Sequence, residues 1–403
     1  MSTPDPAFTA DAGLDQALAL LRRRDHPVFE LPEDLPELGV GEVRTLALLA
    51  APVLGRAADL GAPTALAHMD PPTPWITWAM ALWNASLNQN LLHESVSPFA
   101  TEAEARVLRW LCPFFGMQGG HGCAGSTLAN LAALWAARDA AGVRRVVASR
   151  AAHLSIEKAC RLLQLEWVPV DVDADGRLDR RRLPSLEAAA LVLTAGTTAT
   201  GAIDPLDLAG AAPWTHVDAA WAGPLRLSPT HAGRLAGLEA ADSVALSAHK
   251  WLFQPKESAL VLFRDVERAH AAIDMASGYL ARPNVGVQGS RGAAAIPLLA
   301  TLLAWGREGL VQRLDRLMAV AETLADTVAA SSTLELWGQP QSGVTVFRPR
   351  RGSPAALLQA LPPGTFSTCV LAGEPWLRAV AANPSVDIER LCAEVLEAAD
   401  RLR

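Results

Sequence analysis

The sequence predicts an α/β fold: a mostly parallel central sheet covered on both faces by helices, followed by a smaller C-terminal α+β domain. Three observations carry this. Short apolar runs at 146–148, 165–170, 191–194, 215–217 and 243–247 alternate with helical segments, the pattern of strands buried on both faces. His153, Thr197, Asp218 and Lys250 all fall at or just beyond the boundaries of these elements, where parallel sheets gather their ligands. Beyond Gly278 the alternation stops, and a Gly/Pro-rich connection over 277–292 leads into long helices and short strands. The resulting division is an N-terminal helical arm over 1–65, a large α/β domain over 66–305 and a small α+β domain over 306–403.

Taken in order, 12–23 and 42–53 read as helices separated by the proline-bearing FELPEDLPEL, through which no helix continues. The stretch from Leu66 to Leu91 is a polar and aromatic mixture containing Trp75, Trp78 and Trp83, residues that suit a core or an interface equally. After Ser97 and Pro98, Thr101 followed three residues later by Glu104 predicts a helix start with its reciprocal carboxylate. GGHGCAGS reads as a loop of glycines and small hydroxyl residues opening an alanine-rich helix, with Ser126 and Thr127 at its N-terminus. Free N–H groups and hydroxyls there can hold a phosphate. The stretch is neither the spaced-glycine dinucleotide fingerprint nor a P-loop, so by itself it fits an ordinary helix cap as well.

A strand at 146–148, a helix at 153–163 and a strand at 165–170 follow. The strand 191–194 runs into AGTTATG, 215–217 ends at Asp218, and 243–247 leads into AHKWL. A further apolar strand, 258–263, comes after a turn containing Pro255. Past Gly292 the reading is helices at 293–305 and 310–329, strands at 334–337 and 344–347, then a strand, a turn and an amphipathic helix.

The 403 residues are 50% hydrophobic and 19% charged, enough to bury a large core. A net charge of -7 with no basic tract argues against a nucleic-acid partner and for small metabolites. Five cysteines, Cys112, Cys123, Cys160, Cys369 and Cys392, lack CxxC or other metal-site spacing, so no metal is expected and a reducing compartment is. The first residues show neither the basic start nor the apolar stretch of a signal peptide, and no apolar run is long enough to span a bilayer. The expectation is a soluble, cytoplasmic protein without membrane association.

Lys250 ends a core strand beside apolar residues and an aromatic ring, where lost hydration favours the neutral amine and suits it to Schiff-base chemistry. A lone strand-end lysine ordinarily snorkels to solvent. Asp218, after the preceding strand, changes the reading, because a fixed carboxylate can keep a pyridine nitrogen protonated while a lysine carries an aldehyde cofactor. His153 opens HLSIEKAC and reads as a helix cap, a core histidine or a flat imidazole over the cofactor ring. His249 either contacts phosphate or imine, or supports its neighbours.

These residues resemble the group II pyridoxal-phosphate-dependent amino-acid decarboxylases, the family of the aromatic-amino-acid, glutamate and diaminobutyrate enzymes. The likeness runs from about Leu66 to the end. AHKWL is similar to the family's His-Lys-Trp segment, with NQN and then ESVSPFATEAE, GCAGSTLANLAAL and HVDAAWAG in the family's order. The resemblance implies the aspartate-aminotransferase-like fold type I of the pyridoxal-phosphate-dependent transferases, pyridoxal 5'-phosphate as cofactor and a homodimer with its pocket near the subunit boundary. It makes Lys250 the Schiff-base lysine, Asp218 the partner of the pyridine nitrogen and His153 the stacking histidine. Ser126, Thr127, Ser247 and His249 would hold the phosphate, Thr197 and Ala220 would pack beside the ring, and Trp75, Trp78 and Arg348 would meet the substrate.

The chain departs from the family in two places. Leu128 stands where relatives carry an acidic residue. The tyrosine that many relatives carry on a mobile loop, to protonate the carbanion, has no clear match, since the only tyrosine is Tyr279 in SGYLARPN. His153 or water is left as the proton source. The implied activity is α-decarboxylation of an L-amino acid to the amine and carbon dioxide. The rivals are decarboxylation coupled to oxidation or another carbon–carbon cleavage on the same cofactor, and a non-catalytic interaction protein. Glutamate-like, aromatic and diamino substrates remain equally open at this stage.

Overall fold

The computed structural model describes residues 13–23, 26–31 and 33–402. The chain divides between Asp59 and Leu60 into two compact units. In the first, helices α1 (Gly13–Leu21) and α2 (Glu42–Leu54) pack on each other, close to the ranges read from sequence. Ala12, the expected start of the first helix, lies outside the described residues.

The second unit begins with helices α3 (Trp75–Leu87) and α4 (Pro98–Phe115), strand β1 (Gly119–Cys123) and helix α5 (Ser126–Ala141). Then come β2 (Arg145–Ser149), α6 (Leu154–Leu163), β3 (Glu166–Val170), β4 (Ala189–Thr194), β5 (Trp214–Asp218), β6 (Ser243–Ser247) and β7 (Ala259–Phe263). Helix α7 (Val266–Ile273) leads into the short pair β8 (Asp274–Met275) and β9 (Asn284–Val285). The chain ends with α8 (Ala295–Ala330), β10 (Leu334–Leu336), β11 (Val344–Pro349), α9 (Pro354–Gln359), β12 (Ser367–Leu371), β13 (Glu374–Val380) and α10 (Ile388–Asp400).

The central sheet has seven strands in the order β1-β7-β6-β5-β4-β2-β3. Its pairs from β3 through β6 are parallel, and β7 alone runs against both of its neighbours. This is the mostly parallel sheet the sequence predicted. Strands β4 to β7 are buried at every position, which is why β4 and β7 read as near-continuous apolar runs, while β5 and β6 carry buried polar residues among their apolar ones. On one face, Ala129, Ala132, Ala133, Ala136 and Ala137 of α5 are fully buried, and their small side chains let the helix lie close on β5, β6 and β7. On the other, Leu191, Leu193, Val217 and Leu246 enter a core shared with α4 and α8, each contributing roughly 1.5–3 kcal/mol by burial.

The smaller C-terminal domain is built on a four-stranded antiparallel sheet, β10-β11-β13-β12. Gly306, with φ 62° and ψ -174°, breaks α8, so the two helices expected at 293–305 and 310–329 form one run bent at a glycine. Two indoles tie the sheets together. The Trp221 and Trp251 rings lie 4.4 Å apart, Trp221 Nε1 donates to the Ser342 carbonyl at 2.5 Å, and Trp251 Nε1 donates to the Ala381 carbonyl at 2.9 Å. Trp251 follows Lys250, so this anchor fixes the turn that carries the lysine.

Two local expectations are corrected, and one stretch left without an element is assigned. Helix α4 starts at Pro98, whose missing N–H costs nothing at a first helical position. Thr101 therefore sits inside the helix, its Oγ1 donating to the Ser97 carbonyl at 3.0 Å, and Glu104 pairs with Arg291 and makes no cap. GGHGC is a strand and not a loop: a Cβ on Gly120 would lie 1.9 Å from the Val261 carbonyl oxygen, so glycine is what lets β1 close on β7. The tryptophan-rich stretch is a helix, α3, ended by Asn88 in the left-handed region at φ 44°.

All five cysteines are free, and among the described residues no group of His, Cys, Asp and Glu is arranged to hold a metal. No helix among them is long and apolar enough to cross a membrane.

Candidate active site

Parallel pairing brings the carboxyl ends of β4, β5 and β6 together, with Thr194 beside Asp218 and Asp218 beside Ala245. Asp218 is the last residue of β5 and is 4% exposed. Both its oxygens are held: Oδ2 accepts from Asn130 Nδ2 at 3.0 Å, and Oδ1 accepts from the Ala220 N–H at 3.2 Å. Its carboxylate is thus oriented by α5 and by its own turn.

Lys250 lies in the turn after β6, its N–H donating to the Ser247 carbonyl at 3.2 Å. The chain has three lysines, 158, 250 and 256. Lys158 and Lys256 are exposed, the latter bound to Asp70 at 2.5 Å, whereas Lys250 is half-buried. Burial pushes the Lys250 ammonium below its ordinary pKa, and the charges of Asp218 and Asp70 oppose that shift without cancelling it.

His153 is the N-cap of α6, and its Nδ1 accepts the Ser155 N–H at 3.2 Å. Its imidazole is linked to Asp218 by hydrogen bonds through Ser155 and Asn130, and Lys250 follows β6, the strand paired with β5; burial lowers the His153 pKa, Asp218 raises it and Lys250 lowers it again. One site therefore collects His153, Asp218 and Lys250. Ala220 and Thr197 are buried beside it, the Thr197 hydroxyl accepting the Ala202 N–H at 3.1 Å within the loop after β4.

Ser126 and Thr127 form the first turn of α5, and neither hydroxyl makes a hydrogen bond to another described residue. Buried Ser247 Oγ and Thr194 Oγ1, at the ends of β6 and β4, are likewise without partners. His249 Nδ1 donates to the Ser258 carbonyl at 2.9 Å, and burial, then Lys250, lowers its pKa.

The remaining predicted residues lie elsewhere. Arg348 Nε binds Glu335 at 2.9 Å and its guanidinium covers the Trp376 ring at 4.2 Å, in a cavity of the C-terminal domain that none of the cluster lines. Trp75 and Trp78 project from α3 at 70% and 51% exposure. Tyr279 is 70% exposed and lies against His93, with ring centres 6.3 Å apart.

Four residues escaped sequence reasoning. Asn130, Ser155 and His216 join Asp218 and His153 in one hydrogen-bonded chain, and the signal was a run of polar residues on the buried faces of α5, α6 and β5. Arg378 stands alone in the apolar strand PWLRAV. It donates to the Thr198 carbonyl at 2.8 Å, beside Thr197, and to Ala67 O and Ser367 Oγ, with no carboxylate partner among the described residues.

Residues 60–350 match the family model described as the pyridoxal-dependent decarboxylase conserved domain. The chain is 35% identical over 355 residues to the L-2,4-diaminobutyrate decarboxylase of Rhizobium meliloti (strain 1021), covering 78% of this chain and 71% of that one. It is 26% identical over 390 residues to the aspartate 1-decarboxylase of Aliivibrio fischeri, covering 80% and 71%. The crystal structure of Oryza sativa TDC with PLP and tryptamine shares the fold, with a TM-score of 0.85 at 22% identity and complete coverage of both chains, 100% each.

The residues present fit this cofactor. A half-buried lysine amine of lowered pKa suits an aldehyde, a doubly held carboxylate suits a ring nitrogen, and unpartnered hydroxyls at a helix N-terminus and a strand end suit a phosphate. The chain belongs to the pyridoxal-dependent decarboxylases, as a pyridoxal 5'-phosphate-dependent carboxy-lyase of amino acids.

Proposed function

We propose that the chain removes the α-carboxylate of an L-amino acid as carbon dioxide and releases the amine, with Lys250 as the residue that carries the cofactor. The observation behind this reading is that Asp218 ends β5, Lys250 lies in the turn after the neighbouring β6, and His153 is tied to Asp218 through Ser155 and Asn130. The cofactor, when bound, supplies a sink for the electron pair left at the α-carbon. Lys250 Nζ keeps a larger share of neutral amine than an exposed lysine, and that is the form that bonds to an aldehyde. Asp218 is held for the ring nitrogen, His153 and Ala220 for the two ring faces, and Thr197 for the ring edge.

Ser126, Thr127, Ser247 and His249 are assigned to the phosphate. His249 Nδ1–H is already engaged with Ser258 O, so a phosphate would meet Nε2 and favour a second proton there. Arg378, half-buried beside Thr197 and free of any carboxylate partner among the described residues, suits the substrate carboxylate better than Arg348, whose charge is matched by Glu335. Orientation of that carboxylate is what selects the bond to be broken.

L-2,4-diaminobutyrate is the first substrate to try, supported by the relative at 35% identity. The reading includes a cytoplasmic homodimer. Free cysteines fit a reducing compartment, and Trp75, Trp78 and Trp83, all more than half exposed on α3, fit a subunit boundary. Trp75 and Trp78 would reach a substrate only across such a boundary.

The test is a panel of L-amino acids, including diaminobutyrate, aspartate, glutamate and tryptophan, with amine, carbon dioxide and oxygen followed together. Equimolar amine and carbon dioxide without oxygen uptake is expected. Aldehyde with oxygen uptake, or no carbon dioxide from any amino acid, would overturn the reading.

A further inference from the structure

A buried chain of hydrogen bonds leads away from the site, and every proton in it can be placed. Trp214 Nε1–H donates to Ser243 Oγ at 2.9 Å, so the Ser243 hydroxyl proton is free for His216 Nδ1, also at 2.9 Å. His216 Nε2 then carries the ring proton and donates to Asn130 Oδ1 at 3.0 Å. That fixes the amide: Asn130 Nδ2 has two protons and gives one to Asp218 Oδ2 at 3.0 Å and the other to Ser155 Oγ at 2.9 Å. The reverse amide orientation would set oxygen against carboxylate. Ser155 Oγ therefore spends its own proton on His153 Nδ1 at 2.8 Å, and the Ser155 backbone N–H reaches the same nitrogen at 3.2 Å. Asn130, Ser155, His216 and Ser243 are at most 1% exposed, so water does not compete.

We infer that Asn130 is a positioning residue: through Ser155 it fixes His153 as the neutral tautomer with its proton on Nε2, while its other amide proton holds the Asp218 carboxylate. His153 then serves as a hydrogen-bond donor through Nε2 and is not the acid that protonates the α-carbon. A neutral imidazole could give that proton only by becoming an imidazolate, and the doubly protonated form would point an Nδ1–H at the Ser155 N–H. This inference rests on the site reading above but concerns protons that are placed before any cofactor binds. The charges that act on the His153 imidazole are Asp218, Lys250 and Lys158.

The test is two-bond 1H–15N correlation of 15N-histidine-labelled protein without cofactor at neutral pH, with His153 assigned by loss of its signals in His153→Gln. His153 Nδ1 is expected to resonate as an unprotonated acceptor and Nε2 as a protonated nitrogen. In Asn130→Asp an acceptor replaces the amide donor, the Ser155 hydroxyl turns to it, and His153 is expected to become a mixture of tautomers. Ser155→Ala removes the hydroxyl and leaves the longer 3.2 Å backbone N–H as the donor at Nδ1, so a measurable gain of the Nδ1–H tautomer is expected with Asp218 still held by Asn130. An Nδ1–H tautomer in the wild type, or an unchanged His153 spectrum in Ser155→Ala, would overturn the inference. In the holoenzyme, Asn130→Asp is expected to lower kcat/KM by about 10- to 100-fold, the size of lost hydrogen bonds to charged groups, with cofactor still attached. Failure of the cofactor to attach to wild-type Lys250 would instead sink the site reading and leave the spectra to be judged by themselves.

Discussion

The proposed function gives Asp218 and Lys250 different work, and their variants separate it. Asp218→Asn keeps the shape, including an oxygen for the Ala220 N–H, but loses the negative charge and turns two amide nitrogens toward each other at Asn130. We expect kcat/KM to fall by at least about 100-fold, the size of losing a buried hydrogen-bonded charge partner, with the cofactor still attached at Lys250. Steady-state kinetics with cofactor absorbance checks both halves of that statement. These two residues were legible in the sequence because each terminates an apolar run, and strand ends in a parallel sheet share an edge. Arg378 and Asn130 were not, because their roles depend on which faces meet: one lies mid-strand, the other on the buried side of an alanine-rich helix. Arg348 read as a substrate residue for the same reason in reverse. Its strand-end position is visible in sequence, whereas its pairing with Glu335 across β10 and β11 is not.

Among elements, the buried strands were found because both their faces are covered and their apolar runs are near-continuous. β1 was missed because GGHGC has the composition of a loop, and its glycines serve close approach to β7. α3 was missed because exposed tryptophans blur the helical period. The loop after β4 offers a test of how tightly the site is framed. Gly196 has φ 97°, and a Cβ there would lie 2.7 Å from Trp221 Cδ1. Gly196→Ala is expected to cost about 1–3 kcal/mol through backbone strain and overpacking, read as a lower urea midpoint. An unchanged midpoint would show that the loop yields freely.

At the scale of the whole molecule, stability is linked to the neutral state of buried histidines. Burial pushes His216 down to about 4 from an ordinary 6.5, so the unfolded chain binds more protons than the folded one between those values. Stability is therefore full above about pH 6.5 and is lost as pH falls toward 4, by roughly 2 kcal/mol at pH 5 from this residue. His121, pushed down to about 3, adds with the same sign. Urea unfolding at pH 7 and pH 5 measures the slope, and His216→Gln is expected to flatten it. Light scattering after gel filtration tests the subunit boundary: the chain is expected to run as a dimer, and Trp78→Glu on α3 to shift it toward monomer.

The most direct test of the account uses the fact that the chain has only three lysines. Protein incubated with pyridoxal 5'-phosphate, reduced with borohydride, digested and analysed by mass spectrometry reports where the cofactor is attached. The account predicts one cofactor per chain on the peptide containing Lys250 and none in Lys250→Ala. Attachment at Lys158 or Lys256 instead, or label undiminished in Lys250→Ala, would contradict it.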